Sequence, residues 1–304
     1  MDSPDQHLFS VDVPRSTARR ALPWAVLAVV VGFVVYKAAR NPHFGWSDVG
    51  SYLFNGKILE GLMGTLELTV VSAVISLLLG ALIVGIGRMG GVGRAIAGTY
   101  VWIFRAVPLM VQLVLWFNVA LIVPRLSIPL PGGGHIFDES TNNLVSAFTA
   151  AILGLALHES AYVAEILRGG LLAVPAGQYR AAAAMGMTAP QAYRYVIGPE
   201  VIRVTVPALT NQLIGLLKAT ATVAFIGGAD LLTKATQIYE QNFKTIPLLL
   251  VATIWYVVLV AAATLVQHAL ERRFSTAPGT PKTPAKVTET TELDTIPALQ
   301  EQRL

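Results

Sequence analysis

Cysteine is absent from the 304 residues, so neither a disulfide framework nor a thiolate metal site is available. Charge is scarce as well. Asp, Glu, Lys and Arg make up 13% of the chain, where a soluble domain carries about 25%. Histidine occurs five times, at positions 7, 43, 135, 158 and 268, never in an HExxH pattern. No pair of carboxylates is spaced for a metal within an apolar stretch. A catalytic set, a resident metal and a cofactor bound by this chain are therefore not expected. Apolar residues fill the space left, at 54% of the chain with a mean hydropathy of +0.60. The net charge of +4 and pI of about 9.4 fit basic cytoplasmic loops better than nucleic acid binding.

Six stretches approach the ~20 apolar residues that cross hydrocarbon. They are Ala21–Tyr36, Gly61–Ile86, Ala97–Val123, Leu144–Leu167, Val204–Ile226 and Ile246–Leu270. The first is short, with Lys37 placed to snorkel. Arg15, Arg19 and Arg20 before it also suit a signal peptide, but no small-x-small cleavage site follows, which favours a retained helix. With the N-terminus inside, inner segments hold 14 Lys and Arg and outer segments six. That asymmetry predicts an N-in/C-in topology. The expected fold class is an all-α integral membrane protein of about six transmembrane helices.

The ends have a different composition. From Ser275 onward the chain is rich in Thr, Pro, Lys and Glu without an aromatic residue, so 274–304 is expected to be a disordered cytoplasmic tail. Residues 1–20 are expected to form a cytoplasmic N-terminal tail. Pro124–Asn143, with prolines and three consecutive glycines, predicts an irregular external connection. Two patterns mislead. Gly85 to Gly90 matches GxGxxG, but it ends an apolar helix instead of following a strand, so it is read as a tight turn. Gly50 to Lys57 nearly matches a phosphate-binding loop, but it has one residue too many and Ile58 where Ser or Thr is needed. The chain shows no ATPase of its own.

Ionisable groups at membrane depth are expensive and mark function by default. The fourth stretch carries His158, Glu159 and Glu165, and spacings of three and four put His158, Tyr162 and Glu165 on one face. Glu165 is three residues before Arg168, which predicts a local ion pair. Glu159 is nearer mid-membrane and has no such partner in sequence, so it either lines a polar pathway or makes an interhelical contact. Arg105 precedes Pro108, which frees a carbonyl and predicts a kink. Arg105 then either walls a polar path or snorkels to the interface. Gln112 continues the polar content. Lys218, with Thr220, either serves the pathway or forms an internal ion pair, for which Glu159 is the candidate partner.

The most patterned segment is Gln178 to Pro207, a polar loop between two apolar stretches. Ala181 to Ala184 favour helix, and Gly186 can end it at positive φ. Thr188 and Gln191 fit a capping box, with Pro190 tolerated in the first turn. Pro199 is expected to interrupt again. Two short helices around a glycine on a membrane surface form a docking element for a partner protein.

This loop resembles the EAA motif of importer-type ABC transporter permeases, E-A-A-x3-G-x9-I-x-L-P. Arg180, Ala181, Ala182, Gly186, Val196, Gly198 and Pro199 occupy its positions, with Arg180 in place of the acidic residue and Gly198 in place of Leu. The strings GTLELTVVSAVISLLLG, FRAVPLMVQL, AYVAEILRGGLLAVPAGQ and LLKATATVAFIG are similar to polar amino-acid permeases of the histidine/glutamine type. The resemblance runs over 61–273, with a loop at 168–203, and leaves 21–36 as an added N-terminal helix. It has Lys218-Ala219-Thr220-Ala221 where the family often has Lys-Asp-Thr-Ser. The resemblance implies a bacterial inner-membrane permease that works by alternating access. Its implied partners are an ATP-binding subunit carrying ATP and Mg, a second permease subunit (identical or related), an extracytoplasmic solute-binding protein and an amino-acid substrate. Coupling to the ATPase would fall to Gln178, Arg180, Ala181, Ala182, Gly186, Met187, Thr188 and Pro199. Candidate pathway residues are Glu159, His158, Tyr162, Arg105, Gln112, Lys218 and Thr220. The competing reading is an ion-coupled secondary transporter, which would show inverted repeats and broken helices.

Overall fold

The computed structural model describes residues 17–129 and 135–275. The tails 1–16 and 276–304 and the glycines of the external loop lie outside the described residues. The chain begins with α1 (Thr17–Arg40), followed by the short α2 (Trp46–Tyr52) and the long α3 (Gly56–Gly87). Next come α4 (Gly91–Ala106), α5 (Leu109–Phe117), a hairpin of β1 (Arg125–Pro129) and β2 (His135–Ser140), and α6 (Thr141–Leu144). Then follow α7 (Ala147–Ala173), α8 (Ala176–Ala184), α9 (Ala189–Ala192) and α10 (Gly198–Ala219), closed by α11 (Leu231–Asn242) and α12 (Thr245–Ser275).

Among the described residues, α3, α7, α12 and the continuous helical run Ala189–Ile226 are long and apolar enough to cross a membrane. α4 and α5 make a fifth crossing if the bent pair counts as one. The first expected span falls on α1, whose 24 residues reach about 36 Å. Trp24, Val29 and Phe33 of α1 are exposed, and the tie to the rest of the chain is the Trp46 indole N–H donating to the Ala38 carbonyl at 3.1 Å.

α7 is the central helix and packs on α3, α4, α5 and α10. Two well-filled clusters lie towards its N-terminal half and beyond. One joins Leu68, Leu113, Leu155, Leu216 and Val223, and the other joins Ile58, Leu231, Leu248 and Val251. At the opposite end of α7 the core thins to Ile83, Ala97 and Ala164. The second cluster is closed by α11, whose N-cap Asp230 is fully buried. One Asp230 oxygen accepts from Leu232 N–H at 2.9 Å, and the other from the Thr233 hydroxyl.

Three expectations need correction. The stretch Ala97–Val123 is not one kinked helix, because α4 and α5 are bent by 100° at their break. Pro108 removes a backbone N–H, and Val107 before it is extended at φ −84, ψ 128. The external loop is not irregular. Leu126, Ile128, Ile136 and Phe137 suit extended backbone, and Arg125 pairs with Ser140 and Ile128 with Phe137 in antiparallel register. Pro199 does not interrupt. A π-helical turn at Tyr193–Ile197 carries the chain into α10, and Pro199 sits in its first turn.

Candidate functional site

From Gln178 to Gln191 the polar loop folds as its sequence predicts. α8 ends in a Schellman closure, with Gly186 N–H donating to Ala183 O at 3.0 Å and Met187 N–H to Ala182 O at 3.1 Å. Gly186 takes φ +70 to do so. Thr188 then caps α9, and its backbone N–H donates to Gln191 Oε1 at 2.9 Å, completing the capping box. The Tyr179 hydroxyl donates to Leu171 O at 3.3 Å and pins α8 to the end of α7. Ala182 and Ile197 face inward and are buried, while Arg180, Ala181, Met185, Gly186 and Thr188 are exposed. Gln178 and Met187 are half-buried at the margin. Gly198, where the motif has Leu, answers to the π turn. A Cβ there would meet the Tyr193 carbonyl oxygen, which accepts from Gly198 N–H.

The pathway candidates separate into two groups. Gln112, His158, Tyr162, Arg105 and Glu165 form one strip along α7 and the α4–α5 break. Gln112 Nε2 lies 3.0 Å from His158 Nδ1, and the His158 and Tyr162 rings are 5.1 Å apart. The Arg105 guanidinium sits 5.3 Å over the Tyr162 ring and 3.6 Å from Glu165. Arg168 grips the same carboxylate through two hydrogen bonds of 2.9 and 2.8 Å, the local pair expected from sequence.

Gln112 has a task that sequence reasoning missed. Pro108 leaves the Phe104 carbonyl without its helical donor. Gln112 Nε2 donates to Phe104 O at 2.9 Å and Val107 O at 2.8 Å. The signal was present as an amide one turn after a proline in an apolar stretch.

Glu159 faces away from this strip. It is 5% exposed, with its hydrogen-bond partner Gln212 on α10. Both line a cavity of about 310 Å³ with Ser76, Val163, Thr210 and Leu216. Lys218 does not meet Glu159. Its side chain is exposed, and among the described residues no carboxylate pairs with it. Six positions along a helix put Gln212 and Lys218 on different faces. Thr220 is buried, with its hydroxyl 3.5 Å from that of Tyr256. Among the described residues no cluster of His, Asp and Glu could hold a metal.

Residues 76–276, from the middle of α3 to the end of α12, match the family described as binding-protein-dependent transport system inner membrane component. The chain belongs to that family. Within it, this inner membrane component is 34% identical over 257 residues to the arginine transport system permease protein ArgU of Corynebacterium glutamicum, covering 83% of this chain and 79% of ArgU. It is 33% identical to the glutamate/aspartate import permease protein GltJ of Escherichia coli K12, covering 74% of this chain and 89% of GltJ. A solved structure described as an amino acid ABC transporter with histidines superposes with a TM-score of 0.60 at 34% identity, covering 72% of this chain and 95% of that one. The chain is thus a multi-pass helical membrane protein of the ABC permease fold. The α4–α5 break, a feature also expected of secondary transporters, occurs here within that fold.

Proposed function

We propose that the chain is the translocation subunit of an ATP-driven importer of polar amino acids in a bacterial inner membrane. Its partners are an ATP-binding subunit that carries ATP and Mg, a second permease subunit and an extracytoplasmic solute-binding protein. The observation that carries this reading is the exposed α8–Gly186–α9 element, which is joined without slack to α7 on one side and α10 on the other. It docks in a groove of the ATPase. Closure of the ATPase dimer moves α8 and α9 as a rigid body, and α7 and α10 pass that motion to the Glu159 cavity between them. The N-terminus and the loop lie on the cytoplasmic side. The amino-acid names of ArgU and GltJ support the substrate class, and Glu159 with Gln212 offers a polar wall for an ammonium group.

The test is purification of the tagged full chain in mild detergent, with mass spectrometry of what accompanies it, for wild type and Gly186→Val. No atom lies near Gly186, so a β-branched side chain acts there through backbone strain at φ +70 alone. Recovery of a Walker-motif ATPase that is lost or weakened in the variant is the expected outcome. Recovery of the wild-type chain alone in several detergents would overturn the reading.

A further inference from the structure

A cleft in the loop-side half lies away from the Glu159 cavity. It has a volume of about 640 Å³ and is walled by the end of α3, the start of α4 and the end of α7. Four arginines converge on it, Arg88, Arg94, Arg105 and Arg168, with Glu165 as the acidic residue of its lining. The charges do not cancel. Glu165 serves Arg105 and Arg168 together. Arg88 stacks over the Tyr193 ring at 5.3 Å, and among the described residues neither Arg88 nor Arg94 has a carboxylate partner. Here a positive excess of three stays open to whatever enters.

The rest of the wall is apolar and mixes larger side chains such as Ile83, Val101 and Leu171 with small ones. Gly87, Ala97, Gly98 and Ala164 form its floor, and a Cβ at Gly98 would have nothing within 4 Å. Trp102 stands at the edge, 71% exposed, as an aromatic suited to the membrane interface. Arginines at both ends of an apolar α4 face, Arg94 before Gly98 and Arg105 after it, describe a groove for an amphiphile with an anionic head. Basic pockets between transmembrane helices on the cytoplasmic side recognise such heads.

We propose that this cleft seats the phosphate headgroup of an anionic phospholipid from the leaflet on the loop side, with its acyl chain along the Gly98 groove. The leaflet assignment rests on the loop-inside topology proposed above, but lipid binding itself does not depend on transport. An amphiphile held by Arg88 and Arg168 ties the α3–α4 turn to the root of the docking loop.

The test uses the full chain in detergent after lipid stripping, with native mass spectrometry read against added phosphatidylglycerol, phosphatidylcholine or inorganic phosphate. Wild type should retain phosphatidylglycerol and not phosphatidylcholine. Arg88→Gln with Arg94→Gln should weaken that retention by about tenfold or more, because each basic group near the surface contributes substantially to anionic lipid binding. Arg203→Gln, which removes the same kind of charge from a Glu200 pair outside the cleft, should bind as wild type does. Gly98→Phe keeps every charge, fills the groove and should also lose the lipid, so a folding defect in the double variant would not leave the question open. Equal retention of both lipids, or unchanged retention in Gly98→Phe, would overturn the proposal. Displacement of phosphatidylglycerol by inorganic phosphate at equal concentration would overturn the lipid and leave a free-anion site. Failure of the importer reading would appear instead as absence of a copurifying ATPase, with lipid retention unaffected.

Discussion

Prolines fall in apolar helical sequence at two places near the site, and the chain answers them in opposite ways. At Pro108 the helix axis turns by 100°. At Pro199 the helix runs on through a π turn into α10. Pro207, further along α10, also stays inside the helix with Val206 before it. A β-branched residue ahead of proline therefore does not by itself break a helix. What differs is the fate of the freed backbone. At Pro108 the Gln112 amide takes both the Phe104 and Val107 carbonyls, and Leu113 beside it is fully buried in the core. At the other site Gly198 lets its own N–H reach the Tyr193 carbonyl with no Cβ in the way. A proline opens a choice, and the neighbouring side chains decide it.

The largest effect should come from removing the Gln112 amide. Gln112→Leu takes the amide donor from the half-buried Phe104 and Val107 carbonyls, a loss of about 2–3 kcal/mol, read as reduced thermal stability in detergent. Pro108→Ala alone should keep the bend, since the amide remains. Because the chain has no cysteine, spin labels placed at Ile96 and Leu115 would report the α4–α5 geometry alone. A long interlabel distance in Pro108→Ala would show that the proline acts without Gln112, and the comparison would fail. Next in size is Gly198→Leu, which restores the motif residue but places Cβ against the Tyr193 carbonyl. It should destabilise by about 1–3 kcal/mol and lower uptake, whereas a neutral outcome would mean that the π turn relaxes freely.

The crossings and the docking loop were legible because each rests on local rules. Apolar length marked α3, α7, α10 and α12, and the Gly186 closure with the Thr188–Gln191 box needed only neighbours in sequence. The Glu165–Arg168 pair is likewise three residues apart. What escaped depends on partners far along the chain. Glu159 finds Gln212 across a helix interface, and Arg105 reaches Glu165 and Tyr162 from another helix. The hairpin was hidden by its glycines and prolines, which read as an irregular connection until the pairing of Ile128 with Phe137 is known. The expected Lys218–Glu159 pair failed because charge complementarity says nothing about which helix face carries each group.

A smaller effect should follow from Glu165→Gln, and it sharpens the contrast between the break and the loop. Glu165 lies between them on α7, pairing with Arg105 from α4 and with Arg168 one turn nearer the loop. Its side chain and those of its partners are 30%, 45% and 58% exposed, so solvent screens the pairs and the loss of stability should stay near about 1 kcal/mol or below. Uptake should fall by more than that stability loss explains, because the carboxylate ties the broken helix to the part of α7 that leads into the docking loop. Measuring uptake and melting temperature on the same preparation separates the two quantities. A variant that melts slightly lower and transports normally would mean that the α4–α5 break and the loop move independently. Thr188→Ala should cost a comparable amount, about 1 kcal/mol from the cap, and have the smallest functional effect, with ATPase copurification reduced but kept. If Thr188→Ala abolished copurification while Glu165→Gln left uptake intact, coupling would reside in the shape of the loop and not in its tie to the broken helix.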